Sequence, residues 1–330
     1  MPRVSWLLPV RDGERWLSTA VNSVLDDIID GDELIVVDDG SRSPVAAVLP
    51  VHPALRVVRT APQGIVSALE TARTVATGSL LARIDADDRS LAGRRFAQTR
   101  WLEARPMAGG VGGRARMRTH DGAPVPRGMS RYVDWINGLA PSDDLRAMVL
   151  IESPVFHPAV MLRASAVEAV GGYRAGAFPE DYDLWLRLVG AGHTLGAVDQ
   201  DVVELRDHGD RLTRTDPCYS RTAFRDLKMA WVAQHLLSPG MRVAVWGAGR
   251  AGRPWLRFVQ AHAVLTAVFD LRAGGERRGL RIQQWTDIDR ADFDLLLVCV
   301  GVAKARQEIR AALAERRPDL VEGTHWWAVT

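Results

Sequence analysis

Three carboxylates fall within four residues at Asp85-Ala86-Asp87-Asp88, directly after the apolar run Leu80 to Ile84. Like charges this dense are unfavourable unless a cation or water compensates them. Oxygen ligands of this kind suit Mg²⁺ or Mn²⁺, ions that keep several waters and reach substrate phosphates through one or two carboxylates. Taken alone, the same residues also read as a solvated loop with helix-capping acids. A second acidic pair, Asp38-Asp39, ends the strand-like run Glu33 to Val37 and passes into Gly40-Ser41. That is a turn-forming cluster at the edge where open parallel sheets bind ligands. A third pair, Glu180-Asp181, follows Pro179 and opens an amphipathic run through Leu184, Trp185 and Leu188. Proline suits a first helical turn, and the helix dipole favours acids there. At such a helix start Asp181 is expected to be ionised at neutral pH and able to accept a proton.

These residues need a frame that brings strand ends together. Over the first hundred residues short β-rich runs alternate with runs of helical period, the pattern of parallel strands joined by crossover helices. Val4 to Val10 reads as a strand broken by Pro9, and Trp16, Leu17, Ala20, Val21, Val24, Leu25 and Ile28 recur at helical spacing. Strands are predicted at Leu55 to Val58 and Leu80 to Ile84, with a helix between them from Ile65 to Ala76 that Gly78 closes. From Val111 to Gly122 the chain turns rich in glycine and arginine, and the Asp121-Gly122 pair suggests an antiparallel excursion. Ser165 and Glu168 have the spacing of a capping box. A breaker cluster at Ser238-Pro239-Gly240 precedes a new strand, Arg242 to Trp246, after which the alternation restarts. The fold class expected is α/β, in two domains with the boundary at 237/238, as a chain of 330 residues exceeds what one core usually holds.

Composition narrows the function. Of 42 basic residues 40 are arginine, but acids are interspersed nearly one for one and the formal net charge is only +2, so no basic stripe for nucleic acid is expected. Cys218 and Cys299 are too few and too far apart for a disulfide framework or a CxxC metal site, which points to a reducing cytoplasm. No apolar signal region or run of 18 apolar residues is visible, so secretion and membrane insertion are not expected, and peripheral association is left open. No internal repeat is visible, and the oligomeric state is unreadable.

The motifs also occur in a familiar order. Leu8-Pro9-Val10, Val36-Val37-Asp38-Asp39-Gly40-Ser41, Ala82-Arg83-Ile84-Asp85-Ala86-Asp87-Asp88, Phe156-His157-Pro158, Gly171-Gly172-Tyr173 and Glu180-Asp181-Tyr182-Asp183-Leu184-Trp185 together resemble family 2 glycosyltransferases of the GT-A type, from about residue 3 to residue 230. Each string alone is weak and the ordered set is specific. The resemblance implies an inverting, metal-dependent enzyme, with residues 1–110 as the nucleotide-sugar-binding half and 111–237 as the acceptor half. It implies that Asp38 and Asp39 contact the donor's base and ribose beside a wall formed by Pro9 and Val10. It implies that Asp85 and Asp87 form the DXD element at the metal and donor diphosphate, with Asp88 in support. Asp181 becomes the base that deprotonates the acceptor hydroxyl, with Glu180 beside it as a substrate contact. The segment from Arg206 through His208 to Arg211 is similar to one that supplies a histidine metal ligand and basic diphosphate contacts. The donor expected is a nucleotide-sugar, with a UDP-sugar favoured, and the acceptor a glycan or glycoconjugate. One departure stands out: where many relatives carry Ala-Arg-Asn, this chain reads Ala68-Leu69-Glu70. His157 itself suits a hydrogen-bonded structural histidine.

After Arg242 to Trp246 comes Gly247-Ala248-Gly249-Arg250-Ala251-Gly252, a helical run and a strand ending at Asp270. This is the dinucleotide-binding fingerprint in context, in which Gly247, Gly249, Gly252 and Asp270 would hold a nucleotide or NAD(P). The same glycines also serve close helix-strand packing, and about 90 residues suffice for one mononucleotide-binding half. Two other functions follow from these motifs: an NAD(P)-dependent oxidoreductase built on this segment, which leaves the N-terminal acids unexplained, and a non-catalytic sugar-nucleotide-binding protein.

Overall fold

The computed structural model describes residues 1–330, which divide into two compact units: Met1–Leu145 with Pro154–Ala223, and Arg146–Ser153 with Phe224–Thr330. The first unit runs β1 Val4–Val10, α1 Glu14–Leu25, β2 Glu33–Asp39, β3 Leu55–Thr60, α2 Ile65–Val75, β4 Leu80–Arg83, β5 Arg89–Ser90, α3 Arg94–Glu103, β6 Ala108–Thr119 and α4 Arg127–Asn137. It continues through β7 Met161–Arg163, α5 Ala164–Ala169, α6 Glu180–Gly190, β8 Thr194–Asp207 and α7 Leu212–Thr215, and α8 Arg221–His235 leads out of it. Its sheet has the order β3-β2-β1-β4-β7-β6-β8-β5. β3, β2, β1 and β4 are parallel, while β7 pairs antiparallel with both β4 and β6. All seven residues of β1 and of β2 are buried, as expected of parallel strands covered on both faces.

Three local expectations are corrected. Pro9 does not break β1, which continues to Val10 with Pro9 opposite Val37. β4 accompanies β1 only as far as Leu7, so at Pro9 the strand has β2 as its one neighbour and the missing N–H is tolerated as on an edge. The antiparallel pairing of the glycine-rich stretch is confined to β7 at Gly110 and Val111 and does not come from the Asp121-Gly122 turn. β6 lies parallel to β8 along Ala108 to Thr119, and the Asp121-Gly122 turn leads to α4. Ser165 and Glu168 form no capping box, because α5 starts at Ala164 with Arg163 as its cap and Glu168 pairs with Arg73 instead.

What aligns the strand ends is a buried arginine on α3. Arg94 is fully buried, and its guanidinium donates to Arg83 O at 2.8 Å, Pro158 O at 2.9 Å and Val160 O at 3.1 Å. Its Nε donates to Gln98 at 2.9 Å, while Gln98 in turn donates to Ala159 O, Val111 O and Gly112 O. The end of β4, the start of β6 and the segment before β7 are thereby held at one place. Burial lowers the Arg94 pKa to about 9, against the attraction of Asp27 and Asp88.

The second unit contains β9 Arg242–Trp246, α9 Gly252–His262, β10 Val264–Asp270, β11 Glu276–Arg277, β12 Leu280–Gln284, β13 Leu295–Val298, α10 Ala303–Arg316 and β14 Trp326–Ala328. Its sheet order is β11-β12-β10-β9-β13-β14, parallel except for β11. With five parallel strands in Rossmann-like order it exceeds a single three-stranded half. The segment Arg146–Ser153 belongs to this unit, where the buried Lys228 donates to Ile151 O at 2.7 Å. No helix in the chain is long and apolar enough to cross a membrane.

Replacing Arg94 by methionine keeps the bulk but withdraws its donors from three buried carbonyls, of which Val160 O keeps the Arg83 N–H; a buried carbonyl left without a partner costs about 1–3 kcal/mol. Arg94→Met is therefore expected to lower unfolding free energy by roughly 2–4 kcal/mol in urea titration. A loss below about 0.5 kcal/mol would show that the strand ends are aligned by other contacts.

Candidate active site

β4 ends at Arg83, and the chain beyond it delivers Asp85, Asp87 and Asp88, whose carboxylate oxygens lie within 4.8 Å of one another. Cations from two directions meet this charge. Arg83 donates to Asp85 at 2.6 Å, and Arg211 lies 3.7 Å from Asp85 and 3.6 Å from Asp88. His208 Nε2 is 2.7 Å from Asp87 Oδ2, with its ring against Trp16. Burial opposes ionisation of Asp85, yet Arg83 and Arg211 hold its pKa below the ordinary value. Asp88 is pushed well above its ordinary value by burial, and Asp87 and Asp85 add to the effect of burial. Asp88 Oδ1 accepts from the Arg206 N–H at 2.8 Å, whereas its buried Oδ2 has no partner.

An orphaned, buried carboxylate oxygen beside two further carboxylates fits a hard divalent cation. Asp85, Asp87 and Asp88 could hold it. His208, expected as a ligand beside Asp85 and Asp87, is brought to the cluster with Nε2 turned to Asp87 and a buried, unpartnered Nδ1. The Arg206 side chain lies over the Trp16 ring at 5.2 Å, and Arg211 is the arginine that faces the acids.

On the nucleotide side, the ends of β1 and β2 run together with Val10 opposite Asp38. Both aspartates of the pair are buried and committed to backbone groups. Asp38 accepts from Ser41 N at 2.8 Å and from Arg59 at 2.9 Å; Asp39 accepts from Gln63 N at 2.7 Å and Gly64 N at 2.8 Å. They shape the turn after β2 and the entry to α2. Gly40 has φ +69°, and a Cβ there would sit 2.6 Å from Pro62, so only glycine fits this turn. Burial raises the Asp38 pKa, but hydrogen bonds from Ser41 and Val45 and the Arg59 charge outweigh it and leave it below the ordinary value.

The acceptor-side acids open α6, whose cap is Pro179. Asp181 departs from the sequence-based argument: burial and the adjacent Glu180 raise its pKa to about 6 and outweigh any effect of the helix start, so it remains mostly ionised at neutral pH. Glu180 is 4% exposed, with Oε2 accepting from Tyr219 at 2.6 Å and Oε1 3.6 Å from His157 Nδ1. His157 Nε2 is 2.9 Å from the Tyr173 hydroxyl, so this histidine is buried and partnered. Glu70, the unusual residue of α2, accepts from the Tyr173 N–H at 2.7 Å and so anchors the Gly171-Gly172-Tyr173 turn. Three residues were not singled out from sequence: Arg83, Tyr173 as a hydrogen-bonding partner, and Tyr219. Arg83 carried a signal, being a charged residue in an otherwise apolar strand; Tyr219 carried none.

In the second unit the glycine loop has two constrained positions. A Cβ at Gly247 would lie 2.6 Å from Cys299 O, and one at Gly252 would overlap Gly247 O, whereas at Gly249 it would meet nothing. Asp270 Oδ2 accepts from Ala248 N at 2.7 Å and closes the loop onto β10.

A mixed α/β sheet whose parallel half carries an acidic cluster at the end of β4, with a second acidic pair opening a helix, has the GT-A-like architecture. Residues 5–146 match the model of "Glycosyl transferase family 2". The chain is 27% identical over 228 residues to the EpsE protein of Bacillus subtilis (strain 168), covering 66% of this chain and 78% of that protein. It is 24% identical over 204 residues to the amylovoran biosynthesis glycosyltransferase AmsE of Erwinia amylovora, covering 60% and 73%. The crystal structure of S. aureus TarS 1–349 in complex with UDP-GlcNAc superposes with a TM-score of 0.54 at 14% identity, covering 72% of this chain and 68% of that one. The first unit thus has the GT-A-like fold and is similar over residues 5–146 to family 2 glycosyltransferases, and the chain carries an additional C-terminal α/β domain.

Because the folded Asp38 pKa lies below the ordinary value, its carboxylate stabilises the protein above the ordinary carboxylate range, and this is lost as pH falls through the folded pKa. The stability gap between the wild type and Asp38→Asn is accordingly expected to narrow from about pH 6 to about pH 3 in thermal unfolding. A gap that stays constant would remove Asp38 ionisation as its source.

Proposed function

We propose that this enzyme transfers a sugar, with inversion, from a UDP-sugar to a hydroxyl of a growing glycan or glycoconjugate, with Mg²⁺ or Mn²⁺ at Asp85, Asp87 and Asp88. The observation that carries this reading is the unpartnered, buried oxygen of Asp88 within the three-carboxylate cluster. A cation bound there supplies Lewis-acid stabilisation of the nucleoside diphosphate leaving group. A UDP-sugar donor is supported by the UDP-GlcNAc complex of TarS, and a biosynthetic glycosyl transfer by the name of AmsE, an amylovoran biosynthesis glycosyltransferase.

The protein's own residues do the rest. Arg211, kept charged by Asp88, Asp87 and Asp85 in spite of its burial, adds positive charge where the diphosphate would lie. The turn shaped by Asp38 and Asp39 and the wall of Pro9 and Val10 receive the nucleoside. Asp181, with a pKa near 6, is ionised at neutral pH and basic enough to take the acceptor hydroxyl's proton as that oxygen attacks the anomeric carbon. Glycosyl transfer of this kind passes through an oxocarbenium-like state, so the acceptor must be held in line with the departing diphosphate.

For the C-terminal domain we propose a nucleotide or NAD(P) ligand, supported by the open approach at Gly249. Saturating NAD⁺ at a hundred times its dissociation constant would stabilise the protein by about 2.7 kcal/mol. A thermal shift with NAD⁺ that Gly249→Leu abolishes supports this; no shift with any nucleotide leaves the glycines to packing alone.

Two variants test the transferase reading. Asp87→Ala is expected to abolish the Mn²⁺-dependent thermal shift with UDP. Asp181→Asn should keep that shift while transfer, followed by UDP release, falls by about 10²–10⁴-fold. Undiminished transfer by Asp181→Asn would remove it as the base, and a product of retained anomeric configuration would exclude single displacement.

A further inference from the structure

Two groups far apart in sequence meet the residue that precedes the proposed base, and two more hold one of them in place. Tyr219, from the turn after α7, donates its hydroxyl to Glu180 Oε2 at 2.6 Å. His157, from the segment before β7, faces Glu180 Oε1 at 3.6 Å and is held on its far side by the Tyr173 hydroxyl at 2.9 Å. Tyr173 is fixed through its backbone N–H by Glu70 on α2. The Glu180 carboxylate is thus buried, engaged at both oxygens and turned to the protein, so it is poorly placed to touch an acceptor.

A buried carboxylate with a phenolic donor at short range stays charged: burial pushes Glu180 up, but His157 and Tyr219 outweigh it and keep its pKa below the ordinary value. Its neighbour Asp181 has no such phenolic donor and accepts from backbone, including the following Tyr182 N–H at 2.7 Å. Two adjacent carboxylates in unlike settings divide the work, one locked as an anion and the other left to exchange a proton.

We propose that Glu180 is a positioning residue for transfer: pinned by Tyr219 and facing His157, it holds a fixed negative charge beside Asp181 and so sets the pH at which Asp181 takes the acceptor's proton. The charged and titratable groups facing this pair are His157, Tyr173, Arg83 on β4, and Cys218 and Tyr219 from the turn after α7. The cationic Arg83 is ion-paired with Asp85, and Cys218, pushed up to about 12, is neutral over the working range. Glu180 is therefore the group whose removal changes the charge next to Asp181 most directly.

This inference rests on Asp181 being the base, and its test is the pH dependence of kcat/KM with UDP-dependent thermal shift as the measure of an intact donor site. In Glu180→Gln the acid limb is expected to move to lower pH by about one unit, the order expected when a like charge on the adjacent residue is removed from a buried carboxyl. Tyr219→Phe keeps the Glu180 charge but withdraws the donor that partly compensates it, so Asp181 sits beside a less compensated anion and the limb moves to higher pH. Opposite displacements support the proposal. Limbs that coincide with the wild type in both variants overturn it, even if kcat falls, because a merely structural contact changes rate without moving the limb. Should Glu180→Gln fail to fold, Tyr219→Phe alone decides by the same criterion. Asp181→Asn run in parallel separates the two ideas: an active Asp181→Asn sinks the base assignment, whereas an inactive one with unmoved Glu180→Gln and Tyr219→Phe limbs sinks only the role of Glu180.

Discussion

Arg94 has no carboxylate within bonding distance and is nonetheless wholly buried, its guanidinium spent on the carbonyls of Arg83, Pro158 and Val160 and on Gln98. A buried cation is tolerable only when each of its donors is satisfied, so these carbonyls must converge on it. They belong to the residue just before the acidic cluster and to the segment that bears His157. The same hydrogen bonds that make the arginine tolerable therefore fix the separation between the metal-side acids and the acceptor-side network. Its stacking on Trp6, with the guanidinium 4.9 Å from the ring, ties that junction to the central strand β1.

From this junction the site is a problem of charge balance. Asp85, Asp87 and Asp88 crowd one loop, and the protein answers with Arg83 and Arg211 while leaving one buried Asp88 oxygen unmet. Around Glu180 and Asp181 the balance is struck by neutral donors and a histidine instead. Arg83 connects the two regions: burial works against its charge, but Asp85, Tyr173 and Glu180 together hold its pKa above the ordinary value. Arg83 and Arg211 hold Asp85 ionised, whereas Asp88, crowded by its neighbours and buried, is raised as Asp181 is, and a cation would favour its charged form.

The C-terminal domain repeats an α/β plan with other priorities. Gly247 and Gly252 are consumed by the contact of α9 with the sheet, and Asp270 is spent on the loop itself, so much of the fingerprint is used in folding. Lys228, one of only two lysines in the chain, is buried in this unit with its amine on Ile151 O. The unit thus takes in a short segment from the middle of the chain, which no linear reading of domain boundaries would assign to it.

Local pattern was sufficient for the strand Arg242–Trp246, for the helix that begins at Ile65, and for the acids at the ends of β2 and β4, since alternation, breakers and turn formers act over a few residues. It also marked Glu180 and Asp181 at a helix start. What it could not supply were relations between segments. The pairing of β6 with β8, the burial of Arg94, the anchoring of the 171–173 turn by Glu70 and the seat of Tyr219 on Glu180 all depend on residues from 13 to more than 100 positions apart. The raised pKa of Asp181 belongs to the same class: the sequence shows a helix N-terminus that favours the anion, and only the packed structure shows the burial and the neighbouring charge that outweigh it.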